Sequence, residues 1–237
     1  MYYNKRKNSC KVRQCRMIEI KNVTKRYGKD NSLVIALDNV NLTVEAGTFV
    51  GIIGESGSGK STLLNLIGAL DMPTEGSIFV DGIDITKFNE NQAAEYRRNN
   101  LGFVFQNFYL EQDFDVLTNV EVPLMIQGID KKKRSEIAKN TLESLGIGDK
   151  IHRRIDELSA GQLQRVCIAR ALVNYPKLIL ADEPTGNLDT KNGRAVMELF
   201  KSLTQKGITV IVVTHNLEEA KLCDKIVRLS DGKVVNK

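Results

Sequence analysis

The sequence predicts an α/β fold: a phosphate-loop core on a parallel sheet, preceded by an antiparallel β subdomain and interrupted by a helical subdomain at about 107–160. Three observations predict it. An apolar, β-prone run at 48–53 leads into GESGSGKST at 54–62 and then into a helix opening with Leu63, Leu64, Leu66 and Ile67. Two later apolar strands, at 178–181 and 208–213, follow helices and end in the polar pairs Asp182-Glu183 and Thr214-His215. Between 107 and 156 the pattern changes from β-rich to helical. Strands alternating with helices in this way build a parallel sheet with its active site along the carboxyl edge.

Residues 1–17 read as a basic, disordered arm, with 18–237 as the folded domain. The first 16 residues hold Lys5, Arg6, Lys7, Lys11, Arg13 and Arg16 and no acid. Subtracting those six charges from the net +5 leaves −1, so the body carries no nucleic-acid charge signature and no nucleic-acid partner is expected. The arm could brush anionic lipid. A second reading starts translation at Met17, where a strand opens. The arm lacks the apolar stretch of a signal peptide, which leads to the expectation of a cytoplasmic protein. Cys10, Cys15, Cys167 and Cys223 fit neither zinc spacing nor a disulfide framework.

Taken in order, Ile18, Ile20 and Val23 alternate as a strand running toward Lys25-Arg26-Tyr27-Gly28. Strands at 33–37 and 40–44 precede the turn at Glu45-Ala46-Gly47. After the phosphate loop and its helix, 76–80 reads as a hairpin strand closing on Asp81-Gly82. A polar helix at 89–98 leads to a strand at 101–105 that ends at Gln106. An apolar segment from Val116 to Met125 is interrupted by Pro123. The basic run at 131–134 is a solvated helix start, and Ile137, Ala138, Thr141, Leu142 and Leu145 continue at helical spacing to Gly146. Helices at 159–173 and 191–206 flank the strand ending in Asp182-Glu183.

The loop fits G-x-x-x-x-G-K-[ST]. Gly54, Gly57 and Gly59 free the backbone so that consecutive N–H groups can surround a polyphosphate, with Glu55, Ser56 and Ser58 supplying others between them. Lys60 reaches the β/γ-phosphates, the Ser61 hydroxyl is placed for Mg²⁺, and Thr62 opens a helix whose N-terminus favours the phosphate charge. A strand delivering two carboxylates supplies one group for the metal, Asp182, and one to polarise water, Glu183. Without the loop, such a pair would equally well be a turn or helix cap. A third element, Leu158-Ser159-Ala160-Gly161-Gln162-Leu163-Gln164-Arg165, sets Ser and Gly at a second helix start, another anion-binding geometry. Two phosphate-facing helix starts suggest a nucleotide shared between two chains.

From Ile18 onward the chain resembles ATP-binding cassette ATPases. The string at 158–165 resembles their LSGGQ signature, with Ala160 where a second Gly is usual and Leu163 where a polar residue is usual. The resemblance implies that Ser159, Ala160, Gly161 and Gln162 cap ATP bound by the opposite subunit, as does Asp189 of the Asn187-Leu188-Asp189 D-loop. It further implies that Tyr27 stacks on adenine, Gln106 senses metal and water, and His215 contacts the γ-phosphate. Gly102-Phe103-Val104-Phe105-Gln106-Asn107, Asn119-Val120-Glu121-Val122-Pro123-Leu124 and the run from Asp182 to Asp189 look like the macrolide-exporter, lipoprotein-release and antimicrobial-peptide-export branch. That branch implies MgATP, a dimer with itself or a homologous ATPase, an integral membrane permease partner, and a peripheral position on the inner membrane face. Three other classes fit less well. A soluble cassette of translation or DNA repair would typically carry two cassettes or a coiled-coil insertion. A small-molecule kinase would not need the 158–165 motif. A regulatory scaffold would be expected to lack Glu183 or His215.

Overall fold

The computed structural model describes residues 16–235. The basic arm, with Cys10 and Cys15, lies outside them except for Arg16 and Met17, which belong to β1 (Arg16–Tyr27). β1 thus starts before the expected Ile18, because Met17 is already buried. β2 (Val34–Glu45) is one strand where the sequence reads as two. Where the two expected strands leave a break at Asp38-Asn39, Asn39 takes φ 51° and donates its N–H to Thr24 Oγ1 at 3.1 Å, making a bulge in a continuous ladder with β1.

β1 is central to an antiparallel sheet of order β2-β1-β4-β5, completed by β4 (Glu75–Val80) and β5 (Ile83–Asp84). The larger sheet contains β3 (Phe49–Ile53), β6 (Leu101–Phe105), β7 (Leu178–Asp182), β8 (Thr209–Thr214), β9 (Lys225–Ser230) and β10 (Lys233–Val235), in the order β10-β9-β3-β8-β7-β6. All its pairings are parallel except β10 on β9. The sequence reading ends at His215 and misses β9 and β10. The signal for β9 is the alternation of buried Val227 and Leu229 with exposed Ile226, Arg228 and Ser230.

The β3–β8–β7 ladder is buried on both faces, so its side chains alternate between two cores. Val50, Ile52, Leu178, Leu180, Ile211 and Val213 pack with the antiparallel sheet and α1 (Lys60–Ile67). Ile179, Ala181, Val210 and Val212 pack against α3 (Val116–Ile126), α4 (Lys131–Ser144), α5 (Ala160–Leu172) and α6 (Thr190–Gln205). α2 (Glu90–Asn100), capped by Asn89, leads into β6, and α7 (Leu217–Ala220) follows β8.

Two expectations in the helical region change. Pro123 does not interrupt α3, which runs through it to Ile126. An interior proline costs about 3 kcal/mol. Val116, Val120 and Leu124, buried at helical spacing on both sides of it, hold the turns in place. The basic run is also not wholly solvated. Lys131, Lys132 and Lys133 are exposed, but Arg134 turns back and donates to Glu121 Oε2 at 2.9 Å. Glu121, 5% exposed, also accepts from Ser135, so this carboxylate joins α3 to α4.

Candidate functional site

Parallel pairing places the site before any side chain is considered. The register sets Ile53 beside Thr214, Val213 beside Asp182, and Asp182 beside Phe105. The residues that follow these strand ends, Gly54, His215, Glu183 and Gln106, therefore share one carboxyl edge. Neighbouring strands lie about 4.8 Å apart, so the edge spans roughly 14 Å.

At the β3 end the chain turns through residues 54–59 into α1. Gly59 adopts φ 99°, and a Cβ there would lie 2.4 Å from the Ala36 carbonyl oxygen. At Gly54 a Cβ would meet Leu229 O at 2.2 Å. Both positions need glycine, the first for conformation and approach and the second for approach alone. Glu55, Ser56 and Gly57 form an exposed crest, while Ser58 and Lys60 are buried beneath it. The Lys60 ammonium donates to the carbonyls of Gly54 at 2.9 Å and Glu55 at 2.7 Å. Ser58 Oγ is buried without a hydrogen-bond partner. Ser61 is exposed and Thr62 half-buried in the first turn of α1.

At the β7 end Asp182 is half-buried, and its Oδ1 is buried with no hydrogen-bond partner. Glu183 takes φ 46°, in the left-handed region that bulky side chains disfavour. Its N–H is held by Val213 O at 2.9 Å, and its own carbonyl accepts from Gly186 N at 3.1 Å. This pinned turn directs the carboxylate toward the next strand, where His215 Nδ1 lies 2.9 Å from Glu183 Oε2. A carboxylate only accepts, so Nδ1 is the donor. The Glu183 side chain is 18% exposed and that of His215 72%, a shielded acid beside an open imidazole.

Gln106 joins this edge. Its carbonyl accepts from Asn187 Nδ2 at 2.8 Å, and a Cβ on Gly186 would come within 2.8 Å of its Nε2. His215 borders a cavity of about 520 Å³ that it shares with Glu183, Thr185 and Asp189. It also borders one of about 300 Å³ shared with Gly54 and Glu55. On the antiparallel sheet, Tyr27 is exposed, and its hydroxyl donates to Asp71 Oδ2 at 2.7 Å. Burial and that hydrogen bond push the phenol up. Asp71, which sequence reasoning missed, also accepts from Lys25 at 2.6 Å, and the Lys25 ammonium lies 4.7 Å from the Tyr27 ring centroid. No local pattern marks Asp71, because both partners lie more than 40 positions upstream.

The signature residues are elsewhere. Ser159 caps α5, accepting from Gln162 N at 3.4 Å while its N–H donates to Gln162 Oε1 at 2.9 Å. Ala160 and Gly161 form the first turn. Gly161, with Ser159 and Gln162, faces a separate cavity of about 480 Å³ shared with Gly146, Lys150 and Asn192, which contains no residue of the phosphate loop. Asp189 caps α6, accepting from Asn192 N at 2.8 Å and Asn192 Nδ2 at 2.6 Å, so its carboxylate is turned onto its own helix. Cys167 and Cys223 are free, and burial pushes each thiol up to about 12.

A parallel sheet with a phosphate loop, an acidic strand end and a histidine strand end along one edge defines a phosphate-loop nucleotide hydrolase. The ABC transporter family model matches residues 37–186, and the chain belongs to that family as its ATP-binding and ATP-hydrolysing component. It is 51% identical over 219 residues to an uncharacterized ABC transporter ATP-binding protein of Methanocaldococcus jannaschii, covering 92% of this chain and 98% of that one. It is 41% identical to the macrolide export ATP-binding/permease protein MacB of Vibrio parahaemolyticus, covering 92% of this chain but 34% of that longer protein. Among solved structures, the cassette MJ0796 of Methanocaldococcus jannaschii, a dimer in a post-hydrolysis state bound to ADP and Pi, superposes with a TM-score of 0.85 at 43% identity. That match covers 93% of this chain and 97% of the other.

Proposed function

We propose that this chain is the ATP-driven subunit of a membrane export or extraction system. Two copies, or one copy and a homologous ATPase, close on two MgATP, and the closure works a separate integral membrane permease. Among the described residues no helix is long and apolar enough to cross a membrane. In this reading the permease is a separate integral membrane protein and the chain sits against it on the inner membrane face. The single observation that carries the reading is the Glu183–His215 pair beside the phosphate loop.

The loop N–H groups from Gly54 to Ser61, with Thr62 behind them, would cradle the phosphates, and Lys60 would exchange its two carbonyls for phosphate oxygens. Tyr27, held by Asp71, would offer its ring to adenine. Glu183 would take the proton of the attacking water while His215 holds that carboxylate and faces the γ-phosphate. A magnesium ion fits the donor set: hard oxygen ligands are present, Asp182 Oδ1 is buried without a partner, and Asp182, Ser61 and Gln106 would hold it. Bound there, it would neutralise charge on the β- and γ-phosphates. Ser159, Ala160, Gly161, Gln162 and Asp189 would act on the nucleotide of the opposite subunit; Ser159, Gly161 and Gln162 line a cavity that holds no phosphate-loop residue of their own chain.

Glu183→Gln keeps the shape of the base and removes its basicity. Turnover is expected to fall about 10²–10⁴-fold while the variant still dimerises on ATP. Steady-state hydrolysis and light scattering check both, and a monomer whatever the ATP concentration would remove the shared-site mechanism.

A further inference from the structure

We infer that Glu219 is a positioning residue for hydrolysis: one carboxylate oxygen fastens the turn that carries Glu183 to the strand end that carries His215. The inference rests on the reading of that pair as the hydrolytic one. Thr185, two residues after Glu183, donates its hydroxyl to Glu219 Oε2 at 2.7 Å. Thr214, immediately before His215, donates to the same oxygen at 3.1 Å. Both threonines are buried, at 6% and 0% exposed, so neither hydroxyl can exchange this acceptor freely for water.

The arrangement closes a ring around His215. Thr214 Oγ1 also accepts from Asn216 N at 3.0 Å, and Asn216 Oδ1 caps α7 by accepting from Glu218 N at 3.0 Å and Glu219 N at 3.4 Å. The path from Thr214 through the exposed His215 to Asn216, along α7 and back through Glu219, is thus bonded at each corner. Glu219 then extends that ring to the Glu183 turn, whose left-handed conformation needs outside support. The third wall is α6, where Gly193 leaves room: a Cβ there would lie 3.5 Å from both Glu219 Oε1 and Thr185 Cβ. The partners of Glu219 are hydroxyls rather than cations, so an acceptor oxygen, not an ion pair, is what the site uses. Removing it leaves the Glu183 N–H bond to Val213 O in place but frees Thr185 and Thr214, so the Glu183 and His215 side chains can shift relative to each other while the phosphate loop on β3 keeps its own support.

The test compares Glu219→Ala, Glu219→Gln, Thr185→Val and Thr185→Ser with Glu183→Gln as reference, measuring kcat and KM for ATP, nucleotide affinity by calorimetry, and thermal midpoint. Displacing a catalytic pair by an ångström costs on the order of a hundredfold, so Glu219→Ala should lose roughly ten- to a hundredfold in kcat. Nucleotide affinity should stay within about twofold, because the loop donors are untouched. Glu219→Gln, whose amide oxygen can accept both hydroxyls, should recover most of the rate. Thr185→Ser should behave like the parent, and Thr185→Val should fall between parent and Glu219→Ala. If Glu219→Ala fails to fold, the Val and Ser pair decides alone. Parent-like kcat in Glu219→Ala or Thr185→Val overturns the inference, as does Glu219→Gln as slow as Glu219→Ala. If Glu183→Gln itself turns over at the parent rate, the catalytic pair falls and takes this inference with it; a slow Glu183→Gln beside a fast Glu219→Ala sinks the inference alone.

Discussion

Lys60 is 8% exposed and anchored by two carbonyls of its own loop, so its ammonium is already desolvated and aimed at the cradle. A hydrogen bond to a charged group contributes about 1.5–3 kcal/mol. Lys60→Ala should therefore weaken ATP binding roughly ten- to a hundredfold, and unchanged affinity by calorimetry would count against the loop as the phosphate site. Asp71 makes a different kind of prediction. Burial would push its carboxyl up, but hydrogen bonds from Lys25 and Tyr27 outweigh that and hold it below the ordinary carboxylate range. A depressed folded-state value stabilises above the unfolded value, about pH 4, and that contribution is lost as pH falls through the folded value. Asp71→Asn should thus be less stable than the parent in urea at neutral pH, with the gap closing below about pH 4. A gap of equal size in acid would mean the charge plays no part. The residues proposed to carry phosphate chemistry were legible because they are contiguous: the nine positions 54–62 hold the glycines, Lys60 and the Ser61 hydroxyl. Asp71 and Glu219 were not, since each acts through a partner brought near only by folding.

At the scale of elements, α3 shows how a motif can be read without its reason. Asn119 stands out in the string Asn119-Val120-Glu121-Val122-Pro123-Leu124, yet its work is done backwards along the chain. It is 1% exposed, accepts from Glu111 N at 2.8 Å, and donates through Nδ2 to the carbonyls of Glu111 at 3.0 Å, Asp115 at 3.1 Å and Phe114 at 3.3 Å. One amide thus fixes the irregular segment between β6 and α3, where no ladder is available to satisfy the backbone. Asn119→Ala leaves a buried N–H and several carbonyls short of partners, and about 1–3 kcal/mol of stability should be lost. Urea unfolding measures it; a loss near zero would mean the segment finds other partners. Strand and helix positions in the parallel core follow from apolar runs ending in polar pairs, which is why β3, β6, β7 and β8 lie close to where the sequence puts them. The misreadings have a common cause. At Asn39, Pro123 and Arg134 a local reading of a strand end, a helix break or a solvated start is overruled by a distant contact: the Thr24 hydroxyl, the core around Val120 and Leu124, and the Glu121 carboxylate.

At the scale of the whole molecule, the phosphate loop and the signature residues belong to different cavities, so under the proposed function a connection between hydrolysis and a partner would cross the helical region. The structure offers a short mechanical path. Arg170 of α5, the helix that the signature Ser159 caps, donates to Phe108 O at 2.8 Å and also to Tyr109 O, and Cys167 Sγ donates to Phe108 O at 3.3 Å. The segment that follows Gln106 is therefore gripped by the signature helix, so a tilt of α5 on dimer closure would carry residues 107–114 with it. That segment presents apolar side chains outward, with Tyr109 66% and Phe114 40% exposed, and Ile126 is 68% exposed at the end of α3. Under the proposed function, these exposed apolar side chains are where the permease would dock. Tyr109→Asp with Phe114→Asp should abolish recovery of a membrane protein with tagged Glu183→Gln chain from solubilised membranes in MgATP. The parent surface should bring down a stoichiometric permease of few spans with a large outer domain. ATP affinity and ATP-dependent dimerisation should survive the two aspartates, since neither side chain lines the nucleotide edge. A permease still recovered with the doubly substituted surface would move the docking site off this segment. Ribosomal or DNA-repair proteins in place of any membrane protein would leave the ATPase standing and overturn the transport role.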